Sequence, residues 1–154
     1  MKYDVYGIGN ALVDKEFEID DAFLEEFSIE KGMMTLVDLE QQDRLLSELI
    51  ERYGVKTRSG GGSAANTLYA ISQFGGSSFY ACRVANDETG DFFLNQLGDH
   101  NIQTNKNRQR VAGVSGRCLV MVTPDAERTM QTYLGVSDSI SIAEMDFEAA
   151  LSCK

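Results

Sequence analysis

The block from Gly60 to Thr67, Gly-Gly-Gly-Ser-Ala-Ala-Asn-Thr, constrains the fold more than any other part of the chain. Consecutive glycines let the backbone turn sharply and approach a ligand closely, because no Cβ is in the way. Ser63 is a residue type that caps helices, and Asn66 would lie one turn inside the helix with a side chain that both donates and accepts. The block therefore predicts a glycine turn that runs into a helix and presents free backbone N–H groups to a polar ligand.

The composition limits the classes of partner. A chain of 154 residues, 43% of them apolar, can form the core of one ordinary domain. Its net charge of -10 argues against nucleic acid and anionic membrane surfaces as partners, although a small anionic cosubstrate remains compatible with it. No apolar run approaches the ~20 residues of a membrane span, and the N-terminus has no signal-peptide pattern, so we expect a cytoplasmic protein.

Cysteine and histidine offer no catalytic or metal-binding pattern. Cys82, Cys118 and Cys153 are widely spaced and form no zinc motif, so the sequence predicts buried, reduced thiols. His100 follows a glycine that ends a predicted helix, which is typical of a surface residue. No metal site is predicted.

The pattern of apolar residues predicts strands and helices along the whole chain. The predicted strands are residues 2–8, 15–19, 33–37, 78–84, 114–122 and 128–134. The predicted helices are a short one capped by Asp20, one from Asp38 to Gly54, one from the glycine turn to Phe74, residues 89–97 and residues 141–151.

The order of these elements predicts two layers. Strand, helix, strand and helix follow one another in residues 60–104, which predicts a parallel sheet covered by helices. The strands at 15–19, 33–37 and 114–134 do not fit that sheet, and they predict a separate, one-sided layer. Such a layer could act as a lid over a ligand cleft.

Asp14 and Asn66 are the candidate polar binding residues. Asp14 lies just past the first strand, where ligands collect in open α/β sheets, and its carboxylate could accept two hydrogen bonds from vicinal hydroxyls. A solvated loop acid is the alternative for Asp14, and a capping or surface residue is the alternative for Asn66. Together with the turn at Gly61 and Gly62, the two residues predict a polyol-binding set.

Two arginines lie near the predicted lid hairpin. Arg117 and Arg128 flank the turn that contains Pro124, and surface charge is the default interpretation for both. Contact with a phosphate or a sugar is the alternative.

Four stretches of the chain resemble the ribokinase/PfkB family, and within it the adenosine-kinase-like branch. They are Gly7-Ile8-Gly9-Asn10-Ala11-Leu12-Val13-Asp14, Gly61 to Thr67, Arg83 to Gly90, and Pro124-Asp125-Ala126-Glu127-Arg128-Thr129. The glycine–asparagine block is the specific one. Two positions depart from the family pattern, since Ala85 and Ala126 stand where the family usually has glycine.

The resemblance implies an α/β, ribokinase-like fold: a parallel central sheet with helices on both faces plus a small β-sheet lid. It also implies that residues 1–154 form only the N-terminal portion of one kinase domain. The core would then comprise about residues 1–12, 54–110 and 135–154, and the lid about residues 13–38 and 111–134.

The resemblance further implies a set of acceptor-binding residues. Asp14 and Asn66 would hold the ribose hydroxyls, with Asn10, Gly61, Gly62 and Ser63 nearby and Arg128 in the same set. Six apolar residues would line the lid side and face a base: Leu12, Met34, Leu36, Leu119, Met130 and Leu134. The alternative is that these six form only the small core of the lid.

The activity implied by the resemblance is ATP- and Mg-dependent phosphorylation of a primary hydroxyl of an adenosine-like nucleoside or a sugar. The catalytic base and most contacts to ATP and Mg are expected beyond Lys154, so no residue of this chain is assigned a catalytic role and the chain alone is expected to be inactive. The alternative function is a non-catalytic sugar- or nucleoside-binding or interaction module. A dinucleotide-dependent oxidoreductase is disfavoured because the third glycine is missing after Gly7-Ile8-Gly9. An exposed apolar lid face could pair with a second copy as a homodimer.

Overall fold

The structure, a computed structural model, describes residues 2–105 and 110–153, and these form two compact units. The first unit consists of Met1–Val13, Gly60–Gly116 and Leu134–Lys154, and the second of Asp14–Ser59 and Arg117–Tyr133. Three parts of the predicted core, Met1, residues 106–109 and Lys154, lie outside the described residues.

The boundaries of the units differ from the division expected from the sequence. Residues 39–53, which that division leaves unassigned, lie in the second unit together with residues 54–59. Residues 111–116 lie in the first unit.

Within the described residues there are eight strands and five α-helices. The strands are β1 (Val5–Ile8), β2 (Leu12–Glu18), β3 (Met34–Leu36), β4 (Thr57–Gly61), β5 (Ser78–Ala81), β6 (Ile102–Thr104), β7 (Gly116–Val122) and β8 (Arg128–Tyr133). The α-helices are α1 (Asp21–Glu26), α2 (Leu39–Arg52), α3 (Ser63–Gln73), α4 (Glu88–Asp99) and α5 (Phe147–Leu151). Short 3₁₀ helices cover Gly135–Ser139 and Ile142–Glu144. No helix in this part of the chain is long and apolar enough to cross a membrane.

The first unit is built on a parallel sheet in the order β1-β5-β6. Helices α3 and α4 cover one face, where Leu68, Phe93 and Leu97 pack with Tyr80 of β5 in one buried cluster. On the other face the rings of Tyr6 and Phe79 stack with centroids 5.3 Å apart. The Tyr6 hydroxyl accepts a hydrogen bond of 2.8 Å from the backbone N–H at the start of α5, so helices lie on both faces of this sheet.

The second unit contains most of a five-stranded sheet in the order β3-β8-β7-β2-β4. Strand β3 is parallel to β8, whereas β7 and β8 form an antiparallel hairpin. Helices α1 and α2 cover one face of this sheet. Their buried side chains form one cluster with side chains of β2 and β7: Phe23, Leu24, Leu45, Leu46 and Leu49 with Phe17, Ile19, Leu119 and Met121.

The predicted caps of the first two helices are confirmed. The Asp20 carboxylate accepts a hydrogen bond of 2.9 Å from Phe23 N, and the Asp38 carboxylate accepts one of 2.8 Å from Gln41 N. The Gln41 side chain returns a bond to Asp38 N, which completes a capping box.

The predicted helix at residues 141–151 is wrong as a single element. A 3₁₀ turn ends at Glu144, Met145 is extended with ψ 135°, and α5 begins only at Phe147. The reason is a second local cap, because the Asp146 carboxylate accepts a hydrogen bond of 2.9 Å from Ala149 N. The strands β4 and β6 and the 3₁₀ helix at Gly135–Ser139 were absent from the sequence prediction.

Candidate functional site

The glycine turn of the first unit has the geometry that its sequence predicts. Strand β4 ends at Gly61, and Gly62 follows with φ +99°, a conformation that favours glycine. A Cβ atom on Gly62 would lie 2.7 Å from the backbone oxygen of Asn10. The same oxygen accepts a hydrogen bond of 3.0 Å from the Tyr80 hydroxyl, so the absence of a side chain at Gly62 lets the turn approach a fixed segment of backbone.

The prediction that Ser63 caps the following helix is wrong. Ser63 is the first helical residue, the N-cap is Gly62, and α3 has no side-chain hydrogen bond at its N-cap. Because an N-cap side chain bonds backbone groups two or three residues ahead, a serine one position too late cannot take that role. Ser63 and Asn66 are exposed in the first turn of α3, while Gly61 is buried.

The two glycines that resemble a dinucleotide motif serve helix packing. A Cβ on Gly7 would lie 2.8 Å from a side-chain atom of Leu68, and one on Gly9 would lie 2.8 Å from the Cβ of Ala64. Both contacts are with α3, which follows the glycine turn. The close approach of β1 to α3 therefore accounts for both glycines.

Leu12 and Leu134 meet at another glycine of the first unit. A Cβ on Gly116 would lie 2.6 Å from a methyl group of Leu12 and 2.8 Å from the backbone oxygen of Leu134. Both leucines are half-buried. Two of the six apolar residues predicted to face a base therefore lie around the same glycine.

Asp14 is a half-buried carboxylate of the second unit. Burial raises its pKa from 3.8 to about 6, although the positive charge of Arg128 acts in the opposite direction. Among the described residues no side chain or backbone group donates a hydrogen bond to it. Arg128 itself is exposed and lies 3.6 Å from the carboxylate of Glu16. Asp14 is therefore a desolvated hydrogen-bond acceptor with no donor among the described residues.

The face of the five-stranded sheet that α1 and α2 leave uncovered carries apolar residues; we call it the open face. Met34 of β3 stands beside Met130 of β8, and Leu36 stands beside Thr132. Met34 and Leu36 are exposed and Met130 is half-buried. Asp14 belongs to the same face, because it precedes Phe17, whose side chain is in the helix-covered core, by an odd number of positions.

Leu119 does not belong to this face, so its predicted contact with a base is not supported. Leu119 is fully buried in the cluster with Phe17 and Leu49, on the side covered by α2. Arg117, two positions earlier on the same side, donates to the side chains of Gln42 and Asp43 at 3.1 and 2.6 Å. Arg117 is thus engaged in holding α2.

Cys118 and Thr132 occupy the open face beside Met130, and the sequence prediction missed both. The Thr132 hydroxyl donates a hydrogen bond of 3.2 Å to the Cys118 sulfur. Burial and the nearby Asp14 carboxylate raise the pKa of Cys118 to about 11, which keeps the thiol protonated. All three cysteines are free, but only Cys118 is fully buried.

The stretch Arg83 to Gly90 forms a buried polar network in the first unit. The Asp87 carboxylate accepts hydrogen bonds from Gly90 N at 2.8 Å and from the Ser115 hydroxyl at 2.6 Å. Burial alone would raise the pKa of Asp87, but these hydrogen bonds hold it below its usual value. Ala85, one of the two departures from the family pattern, is fully buried and does not have a positive φ.

Metal binding has no candidate within residues 2–105 and 110–153. No group of three or more His, Cys, Asp or Glu side chains there could hold a metal ion.

Comparison with known sequences decides the family. The profile described as pfkB family carbohydrate kinase matches residues 31–154. The chain belongs to the pfkB family of carbohydrate kinases. Among curated proteins of this kind, the guanosine-inosine kinase of Escherichia coli (strain K12) is 28% identical over 128 residues, which are 81% of this chain and 30% of that protein.

Solved structures agree with this assignment to the pfkB family. A probable sugar kinase protein from Rhizobium etli CFN 42 is 30% identical and superposes over 100% of this chain with a TM-score of 0.89. The adenosine kinase from Sinorhizobium meliloti is 34% identical over 96% of this chain, with a TM-score of 0.84. The predicted ribokinase-like α/β fold is thereby confirmed.

The pfkB relatives are longer than this chain. The chain spans 46% of the Rhizobium etli structure and 44% of the Sinorhizobium meliloti structure. It spans 30% of the curated guanosine-inosine kinase.

Proposed function

We propose that this chain supplies the acceptor-binding residues of a kinase that transfers a phosphoryl group from ATP to a primary hydroxyl of a nucleoside or sugar. The observation that carries the proposal is Asp14, a half-buried carboxylate with a pKa raised to about 6 and no hydrogen-bond donor among the described residues. Leaving a buried carboxylate without a donor is costly, and a polyhydroxylated ligand would remove that cost.

The proposal gives each unit a part in binding. In the second unit, Asp14 accepts hydrogen bonds from sugar hydroxyls. In the first unit, Asn66 is exposed in the first turn of α3, where its amide can donate to and accept from a hydroxyl. The remaining polar members of the set are Asn10, Gly61, Gly62, Ser63 and Arg128.

The apolar members of the set favour a nucleoside over a bare sugar. Met34 and Met130 stand side by side in register on the open face, and methionine side chains adapt to flat aromatic rings. The apolar set is Leu12, Met34, Leu36, Met130 and Leu134, with Leu119 removed because it is in the helix-covered core. Relatives named adenosine kinase and guanosine-inosine kinase support a purine nucleoside as the acceptor.

The mechanism expected of such a kinase is in-line attack of the acceptor hydroxyl on the γ-phosphate of ATP, with Mg neutralising the charge that develops. This chain's part in it is to orient the acceptor and exclude water, and we assign the five-stranded sheet the role of a lid over the bound acceptor. The proposal assigns the catalytic base, the ATP contacts and the Mg contacts to no residue of this chain.

Calorimetric titration with adenosine, guanosine, inosine, ribose and fructose tests the proposal on the full-length protein. We expect saturable binding of at least one nucleoside or sugar. Asp14→Asn should weaken that binding by about tenfold to a hundredfold, because hydrogen bonds to a charged acceptor are worth ~1.5–3 kcal/mol each. Asn66→Leu should weaken it while leaving α3 formed.

The control is Asp43→Asn, which removes a carboxylate on the helix-covered side of the same unit. Unchanged acceptor affinity in Asp14→Asn would refute the assignment of Asp14. Binding of a nucleoside without any ATP-dependent phosphorylation by the full-length protein would instead favour the non-catalytic binding module.

A further inference from the structure

A groove in the second unit lies apart from every residue of the acceptor set except Leu36. It is lined by the end of α1 and the loop after it, the strand β3 with its continuation, helix α2 and Gln131 of β8. Its volume is about 470 Å³. Sites for small molecules have volumes of roughly 300–1,000 Å³, so the groove is of the size that such a ligand needs.

Four apolar side chains line part of this groove, whose other lining residues are mostly polar. Phe27 and Ile29 contribute from the end of α1 and its loop, Val37 from the segment after β3, and Leu45 from α2. Leu45 is buried and the other three are half-buried, so their surfaces are already held in place by the core of α1 and α2. Walls of this composition suit a flat, apolar body.

Gln131 places a side-chain amide in the groove. The residue is 7% exposed, and its backbone oxygen accepts a hydrogen bond from Gln42 at 3.1 Å. Its side-chain amide, in contrast, has no hydrogen-bond partner among residues 2–105 and 110–153. A primary amide that protein groups leave unpaired offers a donor and an acceptor side by side, which matches the amide-type edge of a heterocycle.

Arg44 supplies a positive charge to the same groove. It is exposed, and it forms no ion pair with any carboxylate of the described part of the chain. Glu30 also lines the groove and would repel an anion. An anionic group of a ligand is therefore favoured beside Arg44 and away from Glu30.

We infer that this groove binds a small planar heterocycle that carries an amide-type edge and one anionic group. The ring packs between Phe27, Ile29, Val37 and Leu45, the amide edge pairs with the Gln131 side chain, and the anion pairs with Arg44. The assignment does not depend on the proposed kinase activity. It describes a second binding site, on the helix-covered side of the sheet whose open face carries Asp14.

The test uses two probes that contain the whole pattern and two that contain half of it. Orotate has the amide edges and a carboxylate on the ring, and uridine 5′-monophosphate has the edge and a phosphate on the ribose. Uracil has only the edge, and benzoate has only the carboxylate. Each is titrated at millimolar concentration into the isotope-labelled full-length protein, and backbone amide shifts in two-dimensional NMR report the affinity and the place of binding.

We expect orotate or uridine 5′-monophosphate to bind saturably and to shift amides of residues 27–30, 35–37 and 41–45. Gln131→Leu and Arg44→Gln should each weaken binding at least about tenfold, because each removes one partner of a hydrogen-bonded or ionic contact. Lys56→Gln is the matched control, since it removes a positive charge from the same unit outside the groove. If only orotate binds, the ligand is a heterocycle with its acid group on the ring. If only uridine 5′-monophosphate binds, the ligand is a nucleotide.

Several results would overturn the inference. They are no saturable binding of either complete probe, shifts outside the groove, and an affinity unchanged in both variants. If uracil binds as tightly as orotate, the anionic group contributes nothing and Arg44 is not part of the site. If benzoate binds as tightly as orotate, the amide edge contributes nothing and Gln131 is not part of the site. Either result contradicts the inference. If Gln131→Leu fails to fold, Arg44→Gln still decides the outcome, because Arg44 is exposed and supports no contact of the core.

Discussion

The two sheets of this protein differ in how their faces are covered. In the first unit, β5 is buried along its whole length, with α3 and α4 on one face and the segment of α5 on the other. In the second unit, α1 and α2 cover one face only, and Met34 and Leu36 on the open face remain 55% and 59% exposed. The fully covered sheet is a scaffold, whereas the half-covered sheet has apolar surface and a desolvated carboxylate available for a ligand.

The largest expected effect separates the two faces of the five-stranded sheet. Leu119→Ala should destabilise the protein by about 3 kcal/mol, because it opens a cavity under α2 in the fully buried cluster. Met34→Ala on the open face should change the free energy of unfolding by less than about 0.5 kcal/mol but weaken binding of an acceptor. Urea denaturation of both variants, with calorimetric titration of the acceptor, makes the comparison. A reversed order of the two stability changes would show that the open face is the core.

The next effect concerns the glycine turn of the first unit. Gly62→Ala should cost roughly 2–3 kcal/mol of stability, because the residue has φ +99° and its Cβ would lie 2.7 Å from a backbone oxygen. Gly54→Ala is the matched control: Gly54 also has a positive φ, +71°, but no atom lies within 4 Å of its Cβ position. If urea denaturation gives equal losses of stability for the two variants, the close approach to the Asn10 oxygen adds nothing to the cost of the positive φ.

Titration of Asp14 sets the open face apart through pH. Its pKa is raised from 3.8 to about 6 in the folded state, so between these values the folded protein holds a proton that the unfolded chain has released. The stability that Asp14 contributes is therefore lost as the pH rises from about 4 to about 6. Over that interval the free energy of unfolding of Asp14→Asn should increase relative to that of the wild type. Denaturation curves at pH 4, 5, 6 and 7 measure the difference, and a constant difference would contradict the raised pKa. Acceptor binding should follow the opposite trend and strengthen above pH 6, because the carboxylate is the better acceptor.

The smallest expected effect lies in the turn between β7 and β8. Ala126 has φ +65°, and the resemblance described under Sequence analysis implies glycine at this position. Ala126→Gly should stabilise the protein by about 0.5–1 kcal/mol, because glycine adopts this conformation without steric cost. Thermal unfolding compares it with Ala143→Gly, at a position without a positive φ, where the same change should destabilise. A lower melting temperature for Ala126→Gly would show that the turn tolerates alanine without strain.

Features that depend on neighbours in the chain were predictable. The caps at Asp20 and Asp38 bond backbone groups three residues ahead, so the sequence alone contains both partners. The glycine turn was equally readable, because only glycine is comfortable at the φ of Gly62. Asp146 contained the same signal, yet it was hidden inside a longer apolar pattern that predicted one helix in place of two short ones.

Features that depend on pairing between distant segments were not predictable. Strand β4, Thr57–Gly61, has no apolar alternation and forms a strand through its neighbour in the sheet. In β7 the run from Cys118 to Val120 is apolar at every position, so the sequence could not show which side chains face α2 and which face outward. The docking of α2 decided that Leu119 is in the core and Cys118 is on the open face.

The sequence by itself determined the family, the α/β class and most of the local elements, because these rest on short motifs and on periodicity within single segments. Tertiary structure alone decided the burial that raises the pKa of Asp14 and the place of Leu119. It also decided the groove around Gln131, whose walls come from four segments of the chain. The physical reason is that burial, desolvation and hydrogen-bond satisfaction depend on groups far apart in the chain, and no local pattern records them.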